Sequence, residues 1–315
     1  MWTIKQPAKI IFGKNSVPEY NFPKDCLIIT SKGTKSRGWL EYPRFTDLPI
    51  FSNVESNPSM QTVDDIISEF SNHTFSHVIG IGGGSVLDVA KFCAHKMNKR
   101  KILIPTTFGS GSEMTRISVL KVDGKKQSFH NDELIADTAI IDSYFIEKTP
   151  QSIINNSVID ACAQCTEAHD SKNANLYTQF LCKTAFDYLE AGILYDDKNK
   201  IVLGSMFTGL GFGNASTTLG HALSYVYSNE GVSHGHALAF TTTYAHEFNE
   251  SQFLKRFQNI VRKLKFDKIS LKQSLDEAAE IILTDKRHLD NNPKDITKEQ
   301  IVSILNQINS DNSIN

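Results

Sequence analysis

Nowhere in this 315-residue sequence do enough apolar residues run together to make the ~20-residue span that crosses a bilayer as a helix. The opening MWTIKQPAKIIFG also lacks the apolar core and small-residue cleavage site of a secretory leader, so the sequence points to a cytoplasmic protein. Charge of one sign is missing too. The 33 Lys and Arg are balanced by 35 Asp and Glu, for a net charge of -2, which excludes a basic nucleic-acid footprint and an acidic tail. Cysteine is scarce and odd in number, five in all, so no disulfide framework is expected. The one close pair, Cys162 and Cys165, lacks the strand-to-loop setting of a redox motif, and these thiols read as helix packing. No internal repeat is visible. What remains is a chain long enough for two domains, each able to bury a core, with small molecules as partners.

The first half reads as α/β. Short apolar runs at 9–13 and 26–30 suggest strands, and Ser31-Lys32-Gly33 follows the second of them. In a nucleotide-binding unit a residue at such a strand end contacts the adenosine ribose, where an Asp would repel a 2′-phosphate; Ser31 and Lys32 would not. Val63, Ile66, Ile67 and Phe70 recur at helical spacing within 59–73, the pattern of a helix covering a sheet. The run HVIGI at 77–81 then enters Gly82-Gly83-Gly84-Ser85 and a helix over 86–97. Three glycines at a strand-to-helix turn let the backbone approach a pyrophosphate, with the helix N-terminus behind it as an anion site. The spacing is neither G-x-G-x-x-G nor a Walker loop. A strand at 101–104 leads into Pro105-Thr106-Thr107-Phe108-Gly109-Ser110-Gly111-Ser112, a hydroxyl-rich loop suited to the nicotinamide half of a dinucleotide. Segments 116–122 and 125–130 flank Asp123-Gly124, the dipeptide of a type I′ hairpin, and carry Arg116, Lys125 and Lys126 as anion contacts or as a solvated hairpin face. A last strand at 138–142 precedes Thr149-Pro150, which places the boundary between a domain at 1–149 and one at 150–315.

Beyond that boundary helical periodicity takes over, over 151–169, 175–191, 198–212, 215–227, 236–248, 252–264, 271–283 and 297–308, with Asn291-Asn292-Pro293 as a breaker and a frayed tail at 310–315. The stretch GHALSYVYSNEGVSHGHAL at 220–238 holds three of the ten histidines. His221 lies in a run of small and apolar residues and His234 in a Gly-flanked loop, so the two imidazoles could converge on a divalent ion or be two satisfied core histidines. The natural candidate for the carboxylate such a site needs is Asp160. It shares a helix face with Gln164 and Glu167, while Ile154, Val158, Cys162 and Cys165 mark the other face.

Taken together, P-x-x-I-x-F-G at 7–13, Gly82-Gly83-Gly84-Ser85 followed by Asp88, Ala90 and Lys91, Pro105-Thr106-Thr107-x-Gly109-Ser110-Gly111-Ser112-Glu113, Asp160, His221 and His234-Gly235 resemble the iron-containing, metal-dependent alcohol dehydrogenase family nearly end to end. The resemblance implies a Rossmann-like parallel-sheet domain followed by an all-α metal domain, with cofactor and metal facing each other across a cleft, and a homo-oligomer. It implies Asp160, His221 and His234 as catalytic metal ligands for Fe2+ or Zn2+, with Gln164 a possible fourth. NAD(P)H is expected to be held by Ser31, Lys32, Gly82, Gly83, Gly84, Ser85, Asp88, Thr106, Thr107, Ser110 and Ser112. Two positions depart from the common pattern, which has histidine where this chain has Gln164 and Tyr225. Those two residues, with Ser224 and the loop Gly231-Val232-x-His234-Gly235, are similar to the hydroxyethylphosphonate dehydrogenase, or phosphonoacetaldehyde reductase, branch. That branch implies a phosphonate-bearing aldehyde as substrate, with Tyr225 expected among the catalytic residues; because a dianion needs a fixed cationic partner, Arg116, which closely follows the nicotinamide loop, is expected to be its anchor. The chain is shorter than the family pattern, chiefly in loops of the first domain and near 196–200. An unspecialised short-chain alcohol or glycerol-type polyol dehydrogenase, a lyase of the 3-dehydroquinate synthase type, a two-His-one-carboxylate oxygenase and a catalytically silent binding relative are the alternatives.

Overall fold

The structure, a computed structural model, describes residues 1–310 apart from Arg44 and Thr46. The tail from 311 onwards, expected to fray, lies outside the described residues. The chain divides into two compact units, Thr3–Pro150 and Gln151–Asn315, the second taking in Met1 and Trp2.

The first unit runs β1 (Lys9–Phe12), α1 (Ser16–Glu19), β2 (Cys26–Ile29), α2 (Lys32–Ser36), β3 (Ile50–Phe51), α3 (Met60–Glu69), β4 (His77–Gly82), α4 (Gly84–Lys96), β5 (Arg100–Pro105), β6 (Ile117–Val122), β7 (Lys125–His130), β8 (Thr138–Ile141) and α5 (Tyr144–Glu147). Six strands form a parallel sheet in the order β1-β8-β5-β4-β2-β3. Strand β2 is buried along its whole length and β4 along all but its first residue, which is why both read as apolar runs without alternation: parallel strands covered on both faces have no polar side. Helices α3 and α4 close one face, where Val63, Ile66, Leu87 and Ala90 meet Leu27, Val78 and Leu103 in the core. Strands β6 and β7 form a separate antiparallel hairpin whose turn residues Asp123 and Gly124 both have positive φ (50° and 77°), as the Asp-Gly dipeptide predicted.

The second unit is helical: α6 (Gln151–Asp170), α7 (Leu176–Tyr195), α8 (Lys198–Ala215), α9 (Leu219–Asn229), α10 (His234–Asn249), α11 (Leu254–Leu264), α12 (Leu275–Leu283), α13 (Lys286–Asn291) and α14 (Lys298–Ser310). Helix α6 is its axis, packed by α7, α8, α9 and α10. Residues from Val158 to Ala168 are buried on nearly every side, so the helix carries polar groups that must find partners inside. Two sequence expectations shift here. Helix α9 begins at Leu219, because α8 continues to Ala215 and Ser216 interrupts with φ 66°. His234 is the first residue of α10 rather than a loop residue. Among the described residues no helix is long and apolar enough to cross a membrane.

Candidate metal centre and nucleotide loop

Asp160 comes from α6, His221 from the first turn of α9 and His234 from the first turn of α10, and one ligand atom from each lies within 4.8 Å of the others. Asp160 Oδ1 stands 3.7 Å from His221 Nε2 and 3.8 Å from His234 Nε2. Bonds of 2.0–2.2 Å to a tetrahedral ion separate its ligands by about 3.4 Å, so this set needs only a small contraction to close on one.

Two glycines make the convergence possible. A Cβ on Gly220, beside His221, would overlap Glu167 Oε1 and come within 2.7 Å of Thr242 Oγ1. One on Gly235, beside His234, would overlap the carbonyl oxygen of Asn156 and lie 2.7 Å from its carbon. Only at glycine can α9 admit the Glu167 carboxylate and α10 lie directly on α6.

The second layer is built from α6 as well. Glu167 is 2% exposed, and its Oε2 accepts from His221 Nδ1 at 3.1 Å, from the Thr218 N–H at 2.6 Å and from Thr218 Oγ1 at 3.2 Å, while Oε1 accepts from Thr242 Oγ1 at 3.3 Å. With Nδ1 donating to a carboxylate, His221 turns Nε2 towards Asp160, the orientation that a metal-binding imidazole needs. Burial works against the charge on Glu167, but His221 and the Thr218 N–H outweigh it and hold its pKa down at about 2. Burial likewise disfavours a charged His221, but Glu167 and Asp160 outweigh it and raise its pKa to about 9, so a proton and a metal ion compete for this imidazole.

Gln164 Nε2 donates to Asp160 Oδ1 at 2.9 Å, whereas its buried Oε1 has no hydrogen-bond partner among the described residues. Turned over, the amide would present that oxygen to the site; an orphaned buried acceptor beside three metal-type ligands fits a cation. The ring of Tyr225 stacks on His234 at 6.3 Å, and burial pushes its phenol well above the usual range, keeping the hydroxyl protonated. Cys162 and Cys165 are free and buried; desolvation raises Cys165 to about 12, which makes it a packing residue and a poor nucleophile.

The nucleotide loop lies in the first unit. Strands β4 and β5 are neighbours, with Gly82 paired to Pro105, so the glycine turn and the hydroxyl loop emerge side by side. Gly83 is the N-cap of α4 and no side chain caps the helix, leaving its first N–H groups available to an anion. The glycines make room chiefly for neighbours rather than for a ligand: a Cβ would lie 2.7 Å from Val86 at Gly82, 2.7 Å from Ser110 Oγ at Gly84 and 3.1 Å from Thr107 Oγ1 at Gly83. Thr107 and Ser110 are thereby drawn onto the turn, while Thr106 is buried beside it.

Four residues expected at the cofactor or substrate, Asp88, Ser112, Arg116 and Ser31, have hydrogen-bond partners within the first unit. Asp88 accepts from Ser112 Oγ at 2.6 Å and from the Val119 N–H at 3.0 Å, and the fully buried Lys91 Nζ stands 3.3 Å from it while donating to the carbonyls of Ser112 and Ile117. Asp88 and Ser112 therefore brace the two loops and the hairpin from within. Arg116 donates to Asp132 at 3.0 Å, a carboxylate also held by Lys5 at 2.8 Å, so its charge is already answered at the surface. Ser31 caps α2, accepting from the Thr34 N–H at 3.2 Å, and Lys32 is exposed.

The sequence placed Glu167 on the Asp160 face without giving it a role, and the roles of other residues were not visible in it. Glu167 had a visible signal, seven residues beyond Asp160 on the same face; Thr218, Thr242, Gly220 and Gly235 gained their roles only from helix packing.

Residues 7–143 match the iron-containing alcohol dehydrogenase family and residues 154–283 match the C-terminal domain of Fe-containing alcohol dehydrogenases. A 4-hydroxybutyrate dehydrogenase of Clostridium kluyveri is 32% identical over 73% of this chain and 71% of its own length. A sulfoacetaldehyde reductase of Bilophila wadsworthia is 25% identical over 81% of this chain and 82% of its own. Three further alcohol dehydrogenases are matched over only 60% to 64% of their length. Among solved structures, sulfoacetaldehyde reductase from Bifidobacterium kashiwanohense in complex with NAD+ superposes with a TM-score of 0.88 at 22% identity, covering 98% of this chain and 99% of that one. The fold, the two matched domains and the first of these relatives together establish that the chain belongs to the iron-containing alcohol dehydrogenase family.

Proposed function

We propose that this chain is a metal-dependent, nicotinamide-linked alcohol dehydrogenase or aldehyde reductase whose substrate is a short aldehyde, or the matching alcohol, carrying a terminal oxyanion. The observation that carries the reading is the closure of Asp160, His221 and His234 within 4.8 Å over a buried Glu167. These three residues would hold the ion, with Gln164 Oε1 as a further donor. When bound, a divalent ion of this kind, Fe2+ or Zn2+, supplies Lewis acidity towards a carbonyl or alcohol oxygen. The nicotinamide coenzyme supplies or accepts the hydride.

The chain's own part is to hold geometry and protons. Glu167 fixes His221 in the tautomer that leaves Nε2 towards the ion. Tyr225 keeps its phenolic proton at neutral pH and can donate it in a hydrogen bond to a substrate oxygen. In the first unit, the uncapped N–H groups of α4 and the Thr107 and Ser110 hydroxyls offer donors to a pyrophosphate. No acid stands at Ser31-Lys32 to repel a 2′-phosphate, which supports use of NADPH alongside NADH.

The substrate class follows two of the relatives, whose names carry a carboxylate at the far end of 4-hydroxybutyrate and a sulfonate in sulfoacetaldehyde, whereas others are dehydrogenases of plain alcohols such as 1-propanol. Phosphonoacetaldehyde, reduced to 2-hydroxyethylphosphonate, belongs to the same class, with Arg116 a weaker anchor than the sequence suggested because Asp132 holds it. The test is a nicotinamide-absorbance assay of metal-loaded protein on alcohols matched in length. Preference for 4-hydroxybutyrate over 1-butanol supports the reading; equal turnover of both leaves an unspecialised alcohol dehydrogenase.

A further inference from the structure

The breaker Asn291-Asn292-Pro293 is buried rather than exposed, with Asn291 at 4% and Asn292 at 0% exposure. Asn291 is the last residue of α13, and Pro293 disfavours the helical conformation in the residue before it, so Asn292 is extended (φ -67°, ψ 141°). Both side chains reach segments far away in sequence. Asn291 Nδ2 donates to the carbonyls of Ala215 at 2.9 Å and Thr217 at 3.1 Å, and its Oδ1 accepts from the Asn173 N–H at 3.0 Å. Asn292 Oδ1 accepts from Asn249 Nδ2 at 2.8 Å and from the Leu219 N–H at 3.4 Å, while its Nδ2 donates to Asn249 Oδ1 at 2.9 Å and to the Lys294 carbonyl at 2.7 Å. The backbone partners decide which way each amide is turned, since its nitrogen must face the carbonyls and its oxygen the N–H groups.

What these amides hold is the start of α9. A buried helix N-terminus needs partners for its first N–H groups. Thr218, the N-cap, is 1% exposed and its side chain caps nothing, because the hydroxyl is donated to Glu167. Asn292 takes the place of that cap at Leu219, two residues before His221, and Asn291 holds the carbonyls that lead into it. Glu167 holds the Thr218 N–H and the His221 ring from α6. The first turn of α9 is thereby fixed from two sides, and the pairing with Asn249 ties it to the end of α10, the helix that carries His234.

We propose that Asn292 is a positioning residue of the metal centre, which caps α9 from outside the helix, pairs with Asn249, and so sets where His221 stands relative to Asp160 and His234. The inference rests on the reading of those three residues as metal ligands. A metal shell tolerates displacements of about 0.2 Å, so a first turn that has lost its cap loses affinity for the ion before it loses its fold.

The experiment compares wild type with Asn292→Ala, Asn249→Ala and Asn175→Ala, the last of which removes the capping box of α7, a helix that supplies no ligand. Metal affinity is titrated against a chelating competitor, the absorption spectrum of the Co2+-loaded protein is recorded, and Tm is measured without metal. All three variants should melt a few degrees lower. Asn292→Ala should also weaken metal affinity by about tenfold and shift the Co2+ bands, Asn249→Ala should do so to a smaller degree, and Asn175→Ala should leave both as in wild type. Should Asn292→Ala fail to fold, Asn249→Ala carries the test, its residue being only partly buried. Wild-type affinity and spectrum in Asn292→Ala, or in Asn249→Ala where it alone folds, overturns the proposal. An equal loss of affinity in Asn175→Ala makes the effect one of general stability and overturns it as well. A wild type that binds no ion sinks the metal reading, and this inference with it.

Discussion

Replacing Gly235 by alanine isolates the role of helix contact in building the metal centre, because it adds one methyl group and touches no ligand. The added carbon would overlap the Asn156 carbonyl oxygen and lie 2.7 Å from its carbon and 2.9 Å from its Cα. The tightest contact is the approach to the carbonyl oxygen, and since a carbon atom comes no closer than about 3.0–3.2 Å to such an oxygen, α10 must retreat from α6 by about 1 Å. The pair is clamped there, since Asn156 Oδ1 accepts from Ser233 Oγ at 2.5 Å and from the His236 N–H at 3.1 Å, and retreat strains both bonds. Alanine gains about 1 kcal/mol of helix propensity over glycine, whereas overpacking costs about 1–3 kcal/mol, so stability falls modestly and the domain stays folded. The site suffers more, because a metal shell tolerates displacements of about 0.2 Å and His234 is the neighbouring residue. The expected result of Gly235→Ala is a drop of a few degrees in Tm with sub-stoichiometric metal by elemental analysis, and turnover down by about a hundredfold, the usual effect of an ångström of misplacement. Wild-type metal content and turnover in this variant would refute the packing argument.

Glu167→Gln should weaken metal affinity by about ten- to a hundredfold, since the amide can present its N–H to His221 and favour the wrong tautomer; titration with a chelating competitor measures it. Ser31→Asp should shift preference from NADPH towards NADH without loss of stability, because Asp replaces Ser as the cap of α2; the ratio of kcat/KM for the two coenzymes checks it. Glu113 is 3% exposed, and desolvation raises its pKa from 4.5 to about 7, against the pull of its backbone hydrogen bond and Lys91. The folded state then binds the extra proton, so this residue makes stability fall as pH rises from about 4.5 to about 7, by about 3 kcal/mol in all, and Glu113→Gln should flatten the slope in denaturant titrations across that range.

Legibility followed locality. The run from β4 through the glycine turn into α4, the Asp123-Gly124 hairpin and the helical character of the second unit were readable because each depends on neighbours in sequence. Asp160, His221 and His234 could be chosen as a set, yet their approach depends on which helix faces touch, and no periodicity encodes that. His234 looked like a loop residue because Gly235 follows it; the glycine serves instead for close packing at the start of a helix. Helix α13 escaped because six residues hold too few turns to show a period and Asn291-Asn292-Pro293 looked like a breaker. The same limit applied to Asp88, Ser112 and Arg116, whose partners Val119, Lys91 and Asp132 are set by tertiary contacts that spend their polar groups within the protein.

The central claim, that Asp160, His221 and His234 hold an ion on which turnover depends, is tested by elemental analysis paired with nicotinamide-linked turnover on the same wild-type preparation. Both are read before chelation, after it, and after return of Fe2+ or Zn2+, beside Asp160→Ala shown to be folded by circular dichroism. The account predicts that metal and turnover vanish together in the chelated protein, return together when the ion is restored, and stay absent in Asp160→Ala. Undiminished turnover in exhaustively chelated wild type, or an Asp160→Ala protein that binds the ion and turns over like its parent, would contradict it.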